Sequence, residues 1–214
     1  MDGFRVALVI PAFNEEATIA AVVSAAQVYG QPIVVNDCSH DRTALEAESA
    51  GALVVTHEVN RGYDCALNSG FREAARWKYD FIITLDADGQ HDPTLLREFI
   101  DKLAHGVPVV LGVRSSKARI AEHIFALYTR VRYGVLDPLC GMKGYRREVY
   151  ESVGYFDSYK SIGTELMLRA VSTGAVFEQV EFHVRDRLDA PRFGHLISGN
   201  LRIFRALLIW ITNQ

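Results

Sequence analysis

Residues 81–91 read FIITLDADGQH, an apolar run that ends in two aspartates one residue apart. Phe81–Leu85 is short and apolar at every position but Thr84, the pattern of a strand covered on both faces. Asp86 and Asp88 stand at its carboxyl end, and Asp92 with Pro93 then opens a helix. Working outward, the same unit recurs. On the amino-terminal side Val6–Ile10, Ile33–Asn36 and Leu53–His57 read as strands. Helical patterns over Ala17–Tyr29, Thr43–Ala50 and Asp64–Trp77 separate them. Asn14 is the expected cap of the first helix, with Glu15 and Glu16 in its first turn. On the carboxyl-terminal side Val107–Gly112 is a fifth strand. Beyond it the pattern loosens: a helix over Ala118–Tyr133, a loop or short strand over Asp137–Tyr145, a helix over Thr164–Thr173, a strand over Val176–Val184 and a closing amphipathic helix over Ser198–Ile211.

Alternating strands and helices, with strands apolar on both sides, define an α/β fold: a mostly parallel, Rossmann-like sheet with helices on both faces. Right-handed crossovers put every strand's carboxyl end on one edge, and ligands of such sheets bind beyond that edge. The 214 residues, 49% of them hydrophobic, suit one domain over 1–214. Residues 1–113 carry eight Lys and Arg against sixteen Asp and Glu, and residues 114–214 carry fifteen against ten. The first half is therefore read as an acidic half that could carry a metal, the second as a basic half that meets an anion. Cys38, Cys65 and Cys140 form no metal-ligand or disulfide spacing, His40, His57, His91 and His123 are scattered, and Cys140 has no histidine near it in sequence to make it a nucleophile. The start lacks a basic n-region, and the longest apolar candidate, Ile203–Ile211, is short and broken by Arg205, so the chain is expected to be cytoplasmic without a membrane span. A pI of about 6.2 and the lack of a dense basic run exclude a nucleic-acid binder.

Polar residues gather at the strand ends: PAFNE after the first, DCSHD after the second, DADGQH after the fourth and Arg114 after the fifth. Carboxylates converging on one edge repel unless a cation lies between them. Hard oxygen ligands such as Asp86 and Asp88 suit Mg²⁺ or Mn²⁺, which can hold a diphosphate and neutralise a leaving group. An EF-hand reading fails, because its sixth position is His91 instead of Gly and its twelfth is Arg97 instead of Glu.

PAFNEEATI, VVNDCSHDRT, DADGQHDP and DPLCGMKGYRREV, in that order, resemble inverting glycosyltransferase family two of the GT-A fold. The subgroup with the strongest likeness is the dolichol-phosphate mannose synthase and polyprenyl-phosphate glycosyltransferase-like enzymes, and the likeness spans nearly the whole chain. It implies that Pro11, Phe13 and Glu15 line a nucleotide pocket and that Val35 and Asp37 hold base or ribose. It implies that Asp86, Ala87 and Asp88 meet the donor diphosphate, with Asp86, Asp88 and Gln90 on the metal. It implies that Arg114 reaches a donor or acceptor phosphate, and that Arg187 and Arg192 clamp the donor from a segment one residue shorter than the subgroup's. For a catalytic base Glu165 and Asp137 are the candidates, and Asp88 is the third catalytic carboxylate.

A lipid-phosphate acceptor, already anionic, needs no strong base, so the thin base signal favours polyprenyl phosphate at the cytoplasmic membrane face. Two other readings stand: transfer to a glycan or other hydroxyl in polysaccharide synthesis, and a non-catalytic nucleotide-sugar-binding module. A sugar nucleotidyltransferase would want a glycine-rich loop after the first strand, and PAFNEE has none. Lys117, Arg119, Arg130 and Arg132 beside Ile120, Ile124, Phe125 and Leu127, and Arg202 and Arg205 among Ile203, Phe204, Leu207, Leu208 and Trp210, suit either a membrane interface, a membrane-subunit partner, or a packed helix with a cationic edge.

Overall fold

The computed structural model describes residues 3–116, 119–184 and 196–213. Elements follow in the order β1 (Val6–Ala12), α1 (Ile19–Ala26), β2 (Gln31–Asn36), α2 (Thr43–Ser49), β3 (Leu53–Thr56), α3 (Tyr63–Arg76), β4 (Phe81–Thr84), α4 (Leu95–Ala104) and β5 (Val109–Arg114). Then come α5 (Ile120–Tyr133), β6 (Lys143–Arg146), α6 (Arg147–Val153), α7 (Glu165–Ser172), β7 (Phe177–Phe182) and α8 (Leu196–Thr212). All seven strands join one sheet in the order β3-β2-β1-β4-β6-β5-β7, so the acidic and basic halves of the chain share a single sheet.

β1, β2, β4 and β5 are largely apolar and buried because both of their faces are covered, whereas β3 and β7 at the sheet's edges are partly exposed and β7 carries Glu178, Gln179 and Glu181. Ala7 and Val9 of β1 face one core with Phe71, Phe125, Leu166 and Trp210 of α3, α5, α7 and α8. Leu8 and Ile10 face the other, with Val23 of α1 and Phe99 of α4. Gly70 brings α3 down onto β1 and β2, where a Cβ would collide with Val9 and sit 3.3 Å from Val35 Cγ2. Val35 is thus a fully buried core residue under α3. Its side chain does not reach the sheet edge, which corrects its assignment as a ligand contact.

Two further expectations change. The rule that all carboxyl ends share an edge holds for six strands, but β6 runs antiparallel to both β4 and β5. The loop-or-strand stretch over Asp137–Tyr145 resolves into that reversed strand, followed by α6. The reversal puts the amino end of β6 among its neighbours' carboxyl tips. Thr84 Oγ1 of β4 donates to the Gly141 carbonyl (2.5 Å) and accepts from the Lys143 amide (3.0 Å), which ties the two tips together. Second, Asn14 does not cap α1. It has φ 54°, accepts from the His40 amide (2.8 Å) and donates its own amide to Ser39 Oγ (2.9 Å). Glu15 N donates to Thr43 Oγ1 (2.7 Å), and α1 starts only at Ile19. The polar residues after β1 are spent on stitching the first loop to the second.

Candidate active site

Beyond the tips of β1, β2, β4 and β5 lies a cleft of about 710 Å³. Pro11, Phe13, Glu15, Asp37, Asp86, Ala87, Asp88, Gln90 and Arg114 all line it, from four separate loops. Val35, Asp137 and Glu165 are not on its lining, and Arg187 and Arg192 lie outside the described residues.

Asp37, only 4% exposed, builds one end of the cleft. Its Oδ1 accepts from the Arg61 amide (2.9 Å) and meets His57 Nδ1 (2.7 Å), and its Oδ2 accepts from the Gly62 amide (2.7 Å). Ser69 Oγ lies 2.9 Å from His57 Nε2 on the far side of the ring. The carboxylate thereby shapes the Asn60–Gly62 turn against the cleft, and Oδ2 keeps acceptor capacity beyond that one bond.

The acidic tip is held on three sides. Asp88 Oδ1 accepts from the Gln90 amide (3.0 Å), Thr18 Oγ1 donates to the Ala87 carbonyl (2.8 Å), and His91 Nδ1 lies 3.3 Å from the Asp86 amide. Tyr63 OH points at Asp86 Oδ1 from 3.5 Å. Gly141, delivered by the reversed β6, closes the back: a Cβ there would lie 2.6 Å from Asp86 Cγ, so only glycine leaves the carboxylate its place. Among the described residues no group of three or more His, Cys, Asp or Glu is arranged to hold a metal. Two carboxylates and an amide facing an open cleft instead match a hard divalent ion that takes few protein ligands and completes its shell with phosphate and water.

Gly141→Ala should displace the Asp86 carboxylate by a large part of an ångström. We expect turnover to fall on the order of 10–100-fold with overpacking costing about 1–3 kcal/mol. Activity within twofold of the parent, read with a melting curve, would show that Asp86 does not need that position.

The same cleft is also lined by arginines. Arg114 Nε and Nη2 donate to both oxygens of Asp137 (2.8 and 3.0 Å), and Nη2 also reaches Glu122 Oε2 (3.1 Å). Burial works against the guanidinium's charge, but the hydrogen bond and charge of Asp137 outweigh it and hold Arg114 more firmly protonated than usual. Asp137 is 1% exposed and its carboxylate is wrapped by Arg114, whose amide it also accepts (3.1 Å). Arg119 of the segment before α5 and Arg202 of α8 line the cleft with Arg114. Sequence patterning assigned these two to a cationic helix edge; their place in the cleft depends on α5 and α8 packing together over β5, which no local pattern reports. Glu165 is fully buried away from the cleft, where it accepts from the Ser158 amide (2.6 Å) and from Arg169 Nε (2.8 Å).

Along the remaining side runs the segment from Asp157 to Thr164, pinned to α3. Asn68 Oδ1 accepts from the Phe156 amide (2.8 Å), and Asp157 accepts from the Lys160 and Ser161 amides (2.6 and 2.7 Å). Asp64 accepts from the Gly163 amide (2.6 Å). Burial first, and the charge of Asp157 second, push the Asp64 carboxyl up to about 6. Unfolded, it titrates at about 4, so between these values the folded chain holds the extra proton. Its contribution to stability is therefore present below about pH 4 and is lost as the pH rises through about 6. Asp64→Asn should flatten the stability profile across that window by about 1–2 kcal/mol. Parallel denaturant titrations at several pH values test this, and identical slopes in parent and variant would refute it.

A mostly parallel sheet covered by helices on both faces, with one cleft beyond its strand tips, is the GT-A fold. The chain belongs to Glycosyl transferase family 2, whose profile matches residues 7–154, and it is a glycosyltransferase. It is 32% identical over 214 residues to an uncharacterised glycosyltransferase of Mycobacterium tuberculosis, covering 94% of each chain. It is 30% identical over 169 residues to the undecaprenyl-phosphate 4-deoxy-4-formamido-L-arabinose transferase of Pseudomonas aeruginosa, covering 69% of this chain and 49% of that one. In structure it resembles the glucosyl-3-phosphoglycerate synthase of M. tuberculosis, solved with Mn²⁺, uridine diphosphate and glucosyl-3-phosphoglycerate (TM-score 0.79, 24% identity, 97% of this chain and 80% of that one).

Proposed function

We propose that the protein transfers a sugar from a nucleoside-diphosphate sugar, with Mg²⁺ or Mn²⁺ on the donor diphosphate, to a polyprenyl phosphate at the cytoplasmic membrane face. The observation that carries this reading is one cleft lined both by the carboxylates Asp86 and Asp88 and by the cations Arg114, Arg119 and Arg202. A cation-bridged diphosphate suits the carboxylates, and a second anion suits the arginines. Phe13 and Pro11 supply flat surface for a base, and Asp37 Oδ2 an acceptor for a ribose hydroxyl. The Mn²⁺ and uridine diphosphate of the structural neighbour and the lipid-phosphate acceptor named for the Pseudomonas relative point the same way.

In the proposed reaction an oxygen of the acceptor phosphate forms a bond to the sugar's anomeric carbon as the bond to the nucleoside diphosphate breaks, with inversion. A cation bound at Asp86 and Asp88 would neutralise the charge growing on the departing diphosphate. Arg114 and Arg119 would orient the attacking phosphate, and Asp137 would keep the Arg114 fork aimed. Asp137 and Glu165, the two base candidates, are each taken up by an arginine. A phosphate acceptor, which brings its own negative charge, accords with that arrangement better than a hydroxyl does.

The acceptor end of the cleft adjoins an apolar, basic surface. On α5, Ile120 (74% exposed), Ile124, Leu127 and Val131 (80% exposed) form one outward stripe, and Leu201, Leu208 and Ile211 form another on α8. Arg202 stands at the junction of this surface and the cleft. Among the described residues no helix is long and apolar enough to cross a membrane. Two such stripes flanked by Arg130 and Arg132 suit helices lying flat in an anionic interface.

Thermal-shift titration with uridine and guanosine diphosphates, with and without Mn²⁺, followed by assays with polyprenyl phosphate in detergent against free sugars, tests the reading. Metal-dependent stabilisation and transfer to the lipid phosphate are expected. Binding of neither nucleotide would overturn the proposal, and transfer to a sugar hydroxyl alone would overturn the acceptor.

A further inference from the structure

Ile162 lines the cleft beside Tyr63 in a backbone conformation that isoleucine avoids, with φ 60°. A β-branched residue in the left-handed region is a genuine outlier, and such outliers persist only where their surroundings over-determine them. Here they do. Lys160 (φ 61°) and Gly163 (φ 71°) flank Ile162 in the same region, and carboxylates on both sides grip the backbone. Asp157 takes the amides of Lys160 and Ser161, Asp64 takes that of Gly163, and Ser161 Oγ accepts from the Thr164 and Glu165 amides (3.1 and 2.9 Å) to start α7. A glycine would adopt the Ile162 conformation without strain, and the chain uses one at the very next position. The side chain at 162 is kept against its own backbone preference.

What it gains is a place in the wall of the cleft next to the acidic tip. Tyr63 spans the interval: a Cβ at Gly163 would lie 3.2 Å from its ring, while its hydroxyl faces Asp86. The wall made by Ile162 and the Tyr63 ring is therefore apolar, backed by packed chain, and adjacent to the carboxylate assigned to the donor diphosphate. A sugar joined to a diphosphate held at Asp86 would come within reach of this wall. The geometry points to Ile162 as a specificity-determining residue for the donor sugar, one that accepts the carbon face of an unsubstituted hexose and excludes a bulky substituent such as an N-acetyl group. This inference rests on the proposed use of a nucleotide-sugar donor.

The test compares Ile162→Ala and Ile162→Gly with the parent. Affinities are measured, in the presence of Mn²⁺, for a nucleoside diphosphate, its hexose conjugate and its N-acetylhexosamine conjugate, using whichever of the uridine and guanosine series the parent binds. The parent should prefer the hexose conjugate at least 10-fold. Both variants should reduce that preference at least fivefold, with affinity for the bare diphosphate unchanged within twofold. The glycine variant relieves the strained backbone, so a folded protein is expected and is checked by its melting temperature. A preference that moves less than twofold in both variants, or a parent without the preference, overturns the assignment. If the parent binds no nucleoside diphosphate, the donor reading itself has failed, and the two failures are thereby told apart.

Discussion

Asp88→Ala is expected to lower sugar transfer by on the order of 10³-fold or more and to abolish the metal-dependent part of nucleoside diphosphate binding, without loss of thermal stability. Asp88 is half-buried beside Asp86 in a cleft that also holds Glu15 and Asp37. Removing one of several neighbouring carboxylates relieves repulsion, so the fold should lose little. Its Oδ1 also fixes the turn through the Gln90 amide, which makes Asp88→Asn the informative companion. The asparagine keeps an oxygen for that turn and discards the charge. Equal loss in both variants assigns the effect to the carboxylate's charge, whereas retention of activity in Asp88→Asn would assign it to the turn. Turnover in Asp88→Ala close to the parent's would instead show that transfer does not depend on a cation held by Asp88.

The largest expected effect on stability comes from Asp137→Ala. Truncating it strands the Arg114 guanidinium, whose side chain is 22% exposed, and also leaves the Arg114 amide without its acceptor. Breaking a buried pair from one side costs roughly 3–5 kcal/mol, and Glu122 remains as a partner, so we expect about 3 kcal/mol. In a chain of this size that corresponds to a fall in melting temperature of about 6–12 °C. The double variant Arg114→Met/Asp137→Ala should recover part of the stability, because the two charges of the pair are removed together, while Glu122 keeps Arg119 as a partner and the Arg114 amide still lacks its acceptor. Activity should not return with it, since the cleft has lost the Arg114 cation. Recovery of both, or of neither, would contradict a pair that is structural through Asp137 and functional through Arg114.

Much of the architecture was legible along the chain because it is written in nearest-neighbour chemistry. Phe81–Leu85 is apolar at every position but Thr84, so it had to be covered on both faces, and its repetition between helical patterns implied a doubly wound sheet. Once the sheet is parallel, the tips of β1, β2, β4 and β5 share an edge, and Asp86, Asp88, Asp37 and Glu15 are carried there by geometry alone. The meeting of these four carboxylates on one cleft was thus deducible residue by residue.

The basic half and the rear supports were not. β6 spans only Lys143–Arg146, too few residues for a period to declare its direction, and its reversal is set by pairing with β4 and β5 on either side. Asn14 had the composition of a helix cap, but a second loop offered it better-placed partners. Arg114 and Asp137 lie 23 positions apart in sequence, and Asp64 grips an amide 99 positions away. Local patterns report which face of an element is buried; they carry no information on which distant group will satisfy a buried charge or amide. The sequence by itself determined the sheet, its covered faces and the carboxylates at its tips. Only the tertiary structure decided that Arg119 and Arg202 share one cleft with those carboxylates, that Gly141 makes room for Asp86, and that Ile162 is forced into the wall, because each depends on segments that meet only when the chain is folded.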